Sequence, residues 1–205
     1  MYRRIFFCLL FLKMGYSLNA QSAESRFSKL SGPEKWWVIW HPLKAKRALN
    51  ISLEVLRVTD SIRKTGSIGH DINGGKLDAF KHSYWMAVMS IEIGETAALK
   101  LGEAHEKGNY ETFKKGKLED GFLPDKSSSD MDLFNNKMGA ELSRNKIQLT
   151  NLQLMNALIE MIESGELRII KKENATFLTC NGQVITDEEL KGKWVNDKCL
   201  IPSNQ

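Results

Sequence analysis

Apolar positions recur at steps of three and four along most of this chain, and the period shortens to that of strands only after Gly165. Ser31-Gly32-Pro33-Glu34 has the spacing of a capping box and opens a short aromatic helix through Trp36, Trp37 and Trp40. Pro42 starts a second helix, with Ala48, Ile51, Val55, Val58 and Ile62 as one buried stripe and Gly66 as its stop. After a turn over Gly69 to Gly75, a helix from Leu77 carries Phe80, Tyr84, Val88 and Ile91 as far as Gly94. Another runs from Glu95 to His105. Between Lys107 and Ser129, Gly108, Gly116, Gly121, Pro124 and three serines break the rhythm, which predicts a long loop of the kind that serves as a lid. Ser129 to Asp132 cap a helix with Met131, Phe134, Met138 and Leu142 on its apolar side. Thr150 and Gln153 frame a further box before Leu152, Met155, Ile159 and Ile162, with Gly165 as the stop. Leu167 to Ile170 and Ala175 to Thr179 read as strands, and Asn181-Gly182 as a hairpin turn into Gln183 to Thr186. Trp194 and Cys199 are expected to fold the tail back over that hairpin. The predicted fold is mainly α: a compact helical bundle with a small C-terminal β-hairpin appendix.

The start of the chain follows a different rule. Arg3 and Arg4 precede an apolar run from Ile5 to Leu12, too short at about 1.5 Å per residue for a bilayer core of ~30 Å, and small residues follow at Ser17 and Ala20. Residues 1–20 therefore read as a cleavable signal peptide, which predicts a secreted or periplasmic protein. Residues 21–32 form a short N-terminal segment, 33–166 the helical domain, and 167–205 a tail packed on that same domain. Cleavage removes Arg3, Arg4 and Lys13, taking the basic residues from 29 to 26 against 25 acidic ones. A net charge near +1 gives no case for nucleic acid or for an anionic membrane as partner, and no transmembrane segment is left in the mature chain. Cys180 and Cys199 are the cysteines remaining after cleavage, in a compartment that permits disulfides, so they are expected to pair.

Three short stretches gather the residue types that do chemistry. Asp78 and His82 lie four apart on one helical face; His105 and Glu106 end the next helix; Asp132 shares a face with Asn136, beside Asn135. Antiparallel packing of these helices brings the three together. Imidazole and carboxylate suit Zn²⁺ or Mn²⁺, making Asp78, His82, His105 and Asp132 candidate metal ligands, with Trp85, Asn135 and Asn136 in support. The same groups also suit metal-free acid–base work, with His82 or His105 as general base and a carboxylate holding its tautomer. Glu106 completes the catalytic candidates. His41, before Pro42, reads as structural, and His70 as part of a turn near the site. No phosphate-binding glycine loop, HExxH, CxxC or serine nucleophile elbow occurs.

Asp78-Ala79-Phe80-Lys81-His82-Ser83-Tyr84-Trp85, then Ala104-His105-Glu106, then Met131-Asp132-Leu133-Phe134-Asn135-Asn136 with Gly139, resembles an uncharacterised secreted domain family over roughly Trp36 to Ile162. Its members are small exported proteins of Bacteroidota-type bacteria and C-terminal modules of Rhs-type, toxin-like proteins. They commonly carry Arg at the position of Lys81, Asn at Met86, and His or Tyr at Phe134. The resemblance implies relatives and not a reaction, because the family has no established activity.

Two functions fit the sequence. One is a secreted hydrolase, metal-dependent or not, built on Asp78, His82, His105, Glu106 and Asp132; analogy with all-helical zinc phosphoesterases suggests a phosphoester or lipid-like substrate. The other is a noncatalytic exported module in which Asp78, His82, His105 and Asn136 form a buried polar network that fixes helix packing.

Overall fold

A computed structural model describes residues 26–119, 121–144 and 149–205. The signal peptide expected over residues 1–20 lies outside the described residues.

The fold is mainly α with a small β appendix. Helix α1 (Gly32–Trp40) starts at the expected capping box: Ser31 Oγ accepts from the Glu34 backbone, and Glu34 Oε2 accepts from the Ser31 backbone at 2.8 Å. Helix α2 (Pro42–Thr65) buries Ala48, Ile51, Val55, Thr59 and Ile62 and ends at Gly66 in the left-handed region. Helix α3 (Lys76–Ile93) is buried nearly all round, because α2, α4 (Glu95–Lys114), α5 (Lys126–Arg144), α6 (Asn151–Ser164) and strand β1 (Arg168–Ile170) surround it. Leu77, Phe80, Tyr84, Met86 and Met89 form the centre of the core, whereas Ile91, expected on that stripe, is exposed.

Two expectations about the middle of the chain are corrected. Helix α4 does not stop at His105 but continues to Lys114, and α5 begins at Lys126, so the long loop shrinks to residues 115–125. Gly108 is a packing residue and not a breaker. A Cβ there would lie 2.4 Å from Ser31 Oγ, so its absence lets α4 approach the start of α1. The serines at 127–129 are inside the first turn of α5. Asp125 caps that turn, its Oδ1 accepting from the Ser128 backbone at 2.8 Å.

The apolar stripes of α5 and α6 are rotated from their expected positions. In α6, Leu154, Leu158 and Ile162 are buried while Leu152 is exposed. In α5 the expected Met131 is fully buried, but the rest of the inward face is Asp132, Asn135, Asn136, Gly139, Ala140 and Ser143, at helical spacing and mostly polar or small. Phe134, Met138 and Leu142 flank it, and the Phe134 ring takes the Arg168 guanidinium at 4.9 Å.

The tail is also rearranged. β1 pairs antiparallel with the terminal strand β4 (Leu200–Pro202), and the tight hairpin joins β2 (Lys172–Glu173) to β3 (Thr176–Phe177) through Asn174 and Ala175. At Asn181-Gly182 the chain turns, but that turn supports a single bridge, Leu178 to Val184. A short helix α7 (Asp187–Leu190) follows. Trp194 packs on Tyr110 and Phe113 of α4 instead of on the hairpin. Cys180 and Cys199 form a disulfide, with Cα atoms 4.8 Å apart. Lys198 Nζ reaches the buried Asp125 at 2.5 Å and stands over the Phe177 ring at 3.7 Å, tying the tail to the cap of α5.

Candidate metal centre

The site forms where α5 crosses α3. A Cβ on Gly139 would lie 2.0 Å from the Ser83 carbonyl oxygen, so glycine at this position lets the two backbones touch. That approach brings Asp132 of α5 against Asp78 and His82, which the helical period stacks on one face of α3. The ligand atoms of Asp78, His82 and Asp132 lie within 4.8 Å of one another, and all three residues are buried. His82 Nε2 is 3.4 Å from Asp132 Oδ1 and 3.6 Å from Asp78 Oδ1. Two ligands at about 2.05 Å from a tetrahedral ion stand about 3.3 Å apart, so these spacings suit a small divalent cation.

The surrounding polar groups are poorly satisfied. Among the described residues, Asp132 Oδ1, His82 Nδ1, both amide atoms of Asn136 and Glu106 Oε1 are buried without a hydrogen-bond partner. Asp78 is better held: Oδ2 accepts from the Gly74 backbone at 2.8 Å and Oδ1 lies 2.9 Å from Lys81 Nζ. Glu106 Oε2 accepts from Ser129 Oγ at 2.7 Å and from Asn109 Nδ2 at 3.2 Å.

Burial raises the pKa of Asp132 well above the ordinary carboxylate range, and the nearby charges of Asp78 and Glu106 push it further. Burial also raises Asp78, against the pull of Lys81, and raises Glu106. Burial lowers His82 well below its usual value, with the charges of Lys81 and His105 adding to the effect. A divalent cation among these groups would reverse the balance for the carboxylates, favouring their ionised form, and would suit the neutral imidazole that burial already favours.

His105 stands beside this group and not within it. Its ring centre is 6.4 Å from that of His82, and its edge meets Trp85 at 6.0 Å. Nδ1 contacts Glu34 Oε1 and Nε2 contacts Glu119 Oε1, each at 3.1 Å. Burial alone would lower His105, but the hydrogen bonds to Glu119 and Glu34 outweigh it and hold the pKa well above the usual value. Burial likewise works against Glu34, yet His105 and Ser31 bring it down to about 2. Both ring nitrogens of His105 are thus committed to carboxylates, which favour its protonated form. Its side chain is 31% exposed and that of Lys81 20%, so these two form the solvent side of the buried group.

The remaining candidates divide. Asn136 is buried one turn from Asp132 on the same face of α5, beside His82, and a Cβ on Gly102 would meet its Nδ2 at 3.0 Å. Asn135 instead clamps β1, accepting from the Arg168 backbone nitrogen and donating to its carbonyl, both at 2.9 Å. Trp85 donates to Ser52 Oγ at 3.0 Å and supports the His105 ring. His41 stacks on Trp37 as a structural residue, and His70 contacts the Arg63 carbonyl at the surface, in the turn whose Gly74 donates to Asp78. Lys81, Glu34, Glu119, Ser129 and Asn109 were not among the sequence candidates. The Asn109 contact follows from the helical period, but only once α4 continues past His105.

No curated protein and no solved structure matches the chain. Residues 35–166, well over half of the chain, match the model of a domain of unknown function, DUF6973. All three stretches that make up the site fall inside that span, and the chain belongs to this family.

Proposed function

We propose that this chain is an exported hydrolase that works with one divalent cation, Zn²⁺ or Mn²⁺, held by Asp78, His82 and Asp132. The observation that carries the reading is the convergence of one imidazole nitrogen and two carboxylate oxygens at metal-ligand spacing, from residues buried at 5–7% exposure. Bringing two acids and a histidine inward without a cation is costly, and the unpartnered oxygen on Asp132 marks where that cost falls. Three protein ligands leave a coordination position open, the arrangement of catalytic and not of structural zinc. The metal supplies Lewis acidity and a lowered water pKa. Glu106, its carboxyl pushed upward by burial and its Oε1 without a partner, suits proton transfer; the His105 imidazolium offers a positive charge at the solvent side. Export is supported by the disulfide and by the resemblance to exported and toxin-like modules.

One observation favours the second reading, a noncatalytic module. Lys81 Nζ lies 2.9 Å from Asp78 Oδ1 and already supplies a positive charge to the cluster. Lys81→Met separates the two readings. In a metal centre the substitution leaves metal binding intact or strengthens it. In a lysine-neutralised network it lowers stability, and no metal restores it. The proposal itself is tested by hydrolysis assays on phosphodiester, lipid and glycan substrates with the mature protein, metal-free and reloaded. Activity that returns with Zn²⁺ or Mn²⁺ and is lost in Glu106→Gln supports it; activity indifferent to chelation overturns the metal role.

A further inference from the structure

The corner where α1 meets α2 turns large apolar side chains to solvent. Trp36 is 63% exposed, Ile39 53%, Trp40 75% and Leu43 96%. The orientation of α1 is fixed, because the intervening Trp37 is buried and donates its indole N–H to the Ala97 carbonyl at 2.9 Å. Trp36, Ile39 and Trp40 are spaced i, i+3, i+4 and share the opposite face, and Leu43 extends it across the His41 junction. Such an apolar cluster at a surface corner marks an interaction site.

The chain segment that forms the corner is mostly basic, although Arg47 pairs with Glu92 at 2.7 Å and Lys44 Nζ donates to the Ile93 carbonyl, which leaves Lys35 and Lys46 as the flanking charges. From Arg26 to Asn50 the chain carries Arg26, Lys29, Lys35, Lys44, Lys46 and Arg47 against a single acid, Glu34, whose side chain turns inward to His105. Lys35 shares a helical face with Ile39, and Leu43 shares one with Lys46 and Arg47. The near-zero net charge of the mature chain conceals this local excess. We propose that the α1–α2 corner docks on an anionic lipid bilayer. Trp36, Trp40 and Leu43 then sit at the boundary between headgroups and acyl chains, and the flanking lysines lie over the lipid phosphates.

The composition selects this occupant over others. A two-fold dimer through the corner would set like charges against each other. Nucleic acid would use the tryptophans and lysines but gains nothing from an aliphatic Ile39 and a fully exposed Leu43. The surface also stands independently of the metal centre.

The test is co-sedimentation of the mature protein with phosphatidylcholine vesicles, with and without phosphatidylglycerol. Binding is expected to the anionic vesicles and to weaken with salt. Trp36→Ala/Trp40→Ala/Leu43→Ala and Lys35→Glu/Lys46→Glu should each reduce it by about tenfold or more, with the far-ultraviolet circular dichroism unchanged, since Trp36, Trp40, Leu43 and Lys46 are exposed and Lys35 is only half-buried. No binding to anionic vesicles, or binding by either variant as strong as that of the parent, overturns the proposal. So does a concentration-dependent dimer that the triple variant abolishes, which would assign the surface to a second copy, or tighter binding to an oligonucleotide than to vesicles.

Discussion

Gly139→Ala strikes the helix crossing on which the candidate site depends. The added Cβ would stand 2.0 Å from the Ser83 carbonyl oxygen, 2.8 Å from its carbonyl carbon and 2.9 Å from its Cα. All three are backbone atoms, so no rotamer change relieves the clash, and reaching ordinary contact at 3.4 Å requires the helices to part by about 1.4 Å. Two effects oppose each other. Alanine is the better helix former by about 1 kcal/mol, whereas overpacking a close contact costs about 1–3 kcal/mol, with backbone-on-backbone cases at the upper end. The clash wins, leaving a net loss of about 2 kcal/mol, or roughly 4–8 °C in Tm for a chain of this size. Urea denaturation followed by circular dichroism in EDTA measures that loss without a contribution from bound metal. The same separation moves Asp132 from His82, so metal affinity falls as well. A variant as stable as the parent, or about 1 kcal/mol more stable, would show that propensity governs and that α3 and α5 do not meet at this point.

The Glu34–His105 pair gives stability two pH limbs. Glu34 is depressed to about 2, so its contribution is complete above its unfolded value near 4.5 and is lost as pH falls toward 2; His105 is raised, so its contribution is complete below about 6.5 and is lost as pH rises through its folded pKa. Glu34→Gln should flatten the acid limb and weaken the alkaline one in denaturation series at several pH values; limbs unchanged by the substitution would remove the pair from the account. Reducing the Cys180–Cys199 bridge, which spans a sequence separation of 19, should cost about 3 kcal/mol, read as a shift in urea midpoint with and without reductant. An unchanged midpoint would mean that the tail unfolds independently of the helices. Glu106→Gln should keep the Ser129 contact, leave metal content unchanged and abolish turnover of any substrate found; retained turnover would take proton transfer away from Glu106.

Local signals in the sequence survived well where the structure depends on them alone. The capping boxes at Ser31 and Thr150 and the stops at Gly66 and Gly165 are all present, because each is closed by residues within one turn. Tertiary contacts changed the rest. Gly108 read as a breaker because nothing local shows that Ser31 fills the space beside it. The tail register was hidden because β1 pairs with β4 across some thirty residues, so its partner is set by packing and by the Asn135 clamp. The site was half legible. The i, i+4 spacing places Asp78 with His82, and their meeting with Asp132 was expected. The inward face of α5 was read in part: Asp132 and Asn136 were placed together, but the apolar stripe was drawn through Phe134, Met138 and Leu142, because that helix buries a mostly polar and small side, against the usual rule. Charge partners at long range, Glu34 and Glu119 on His105, left no local pattern to find.

Metal titration of the mature chain after EDTA treatment, by calorimetry together with elemental analysis, reaches the central claim most directly. Zn²⁺ or Mn²⁺ should bind at about one ion per chain and raise the melting temperature. Asp132→Asn and His82→Gln should each lose the ion while keeping the helical spectrum. The absence of stoichiometric binding, or binding that both substitutions leave unchanged, would contradict a metal centre at Asp78, His82 and Asp132.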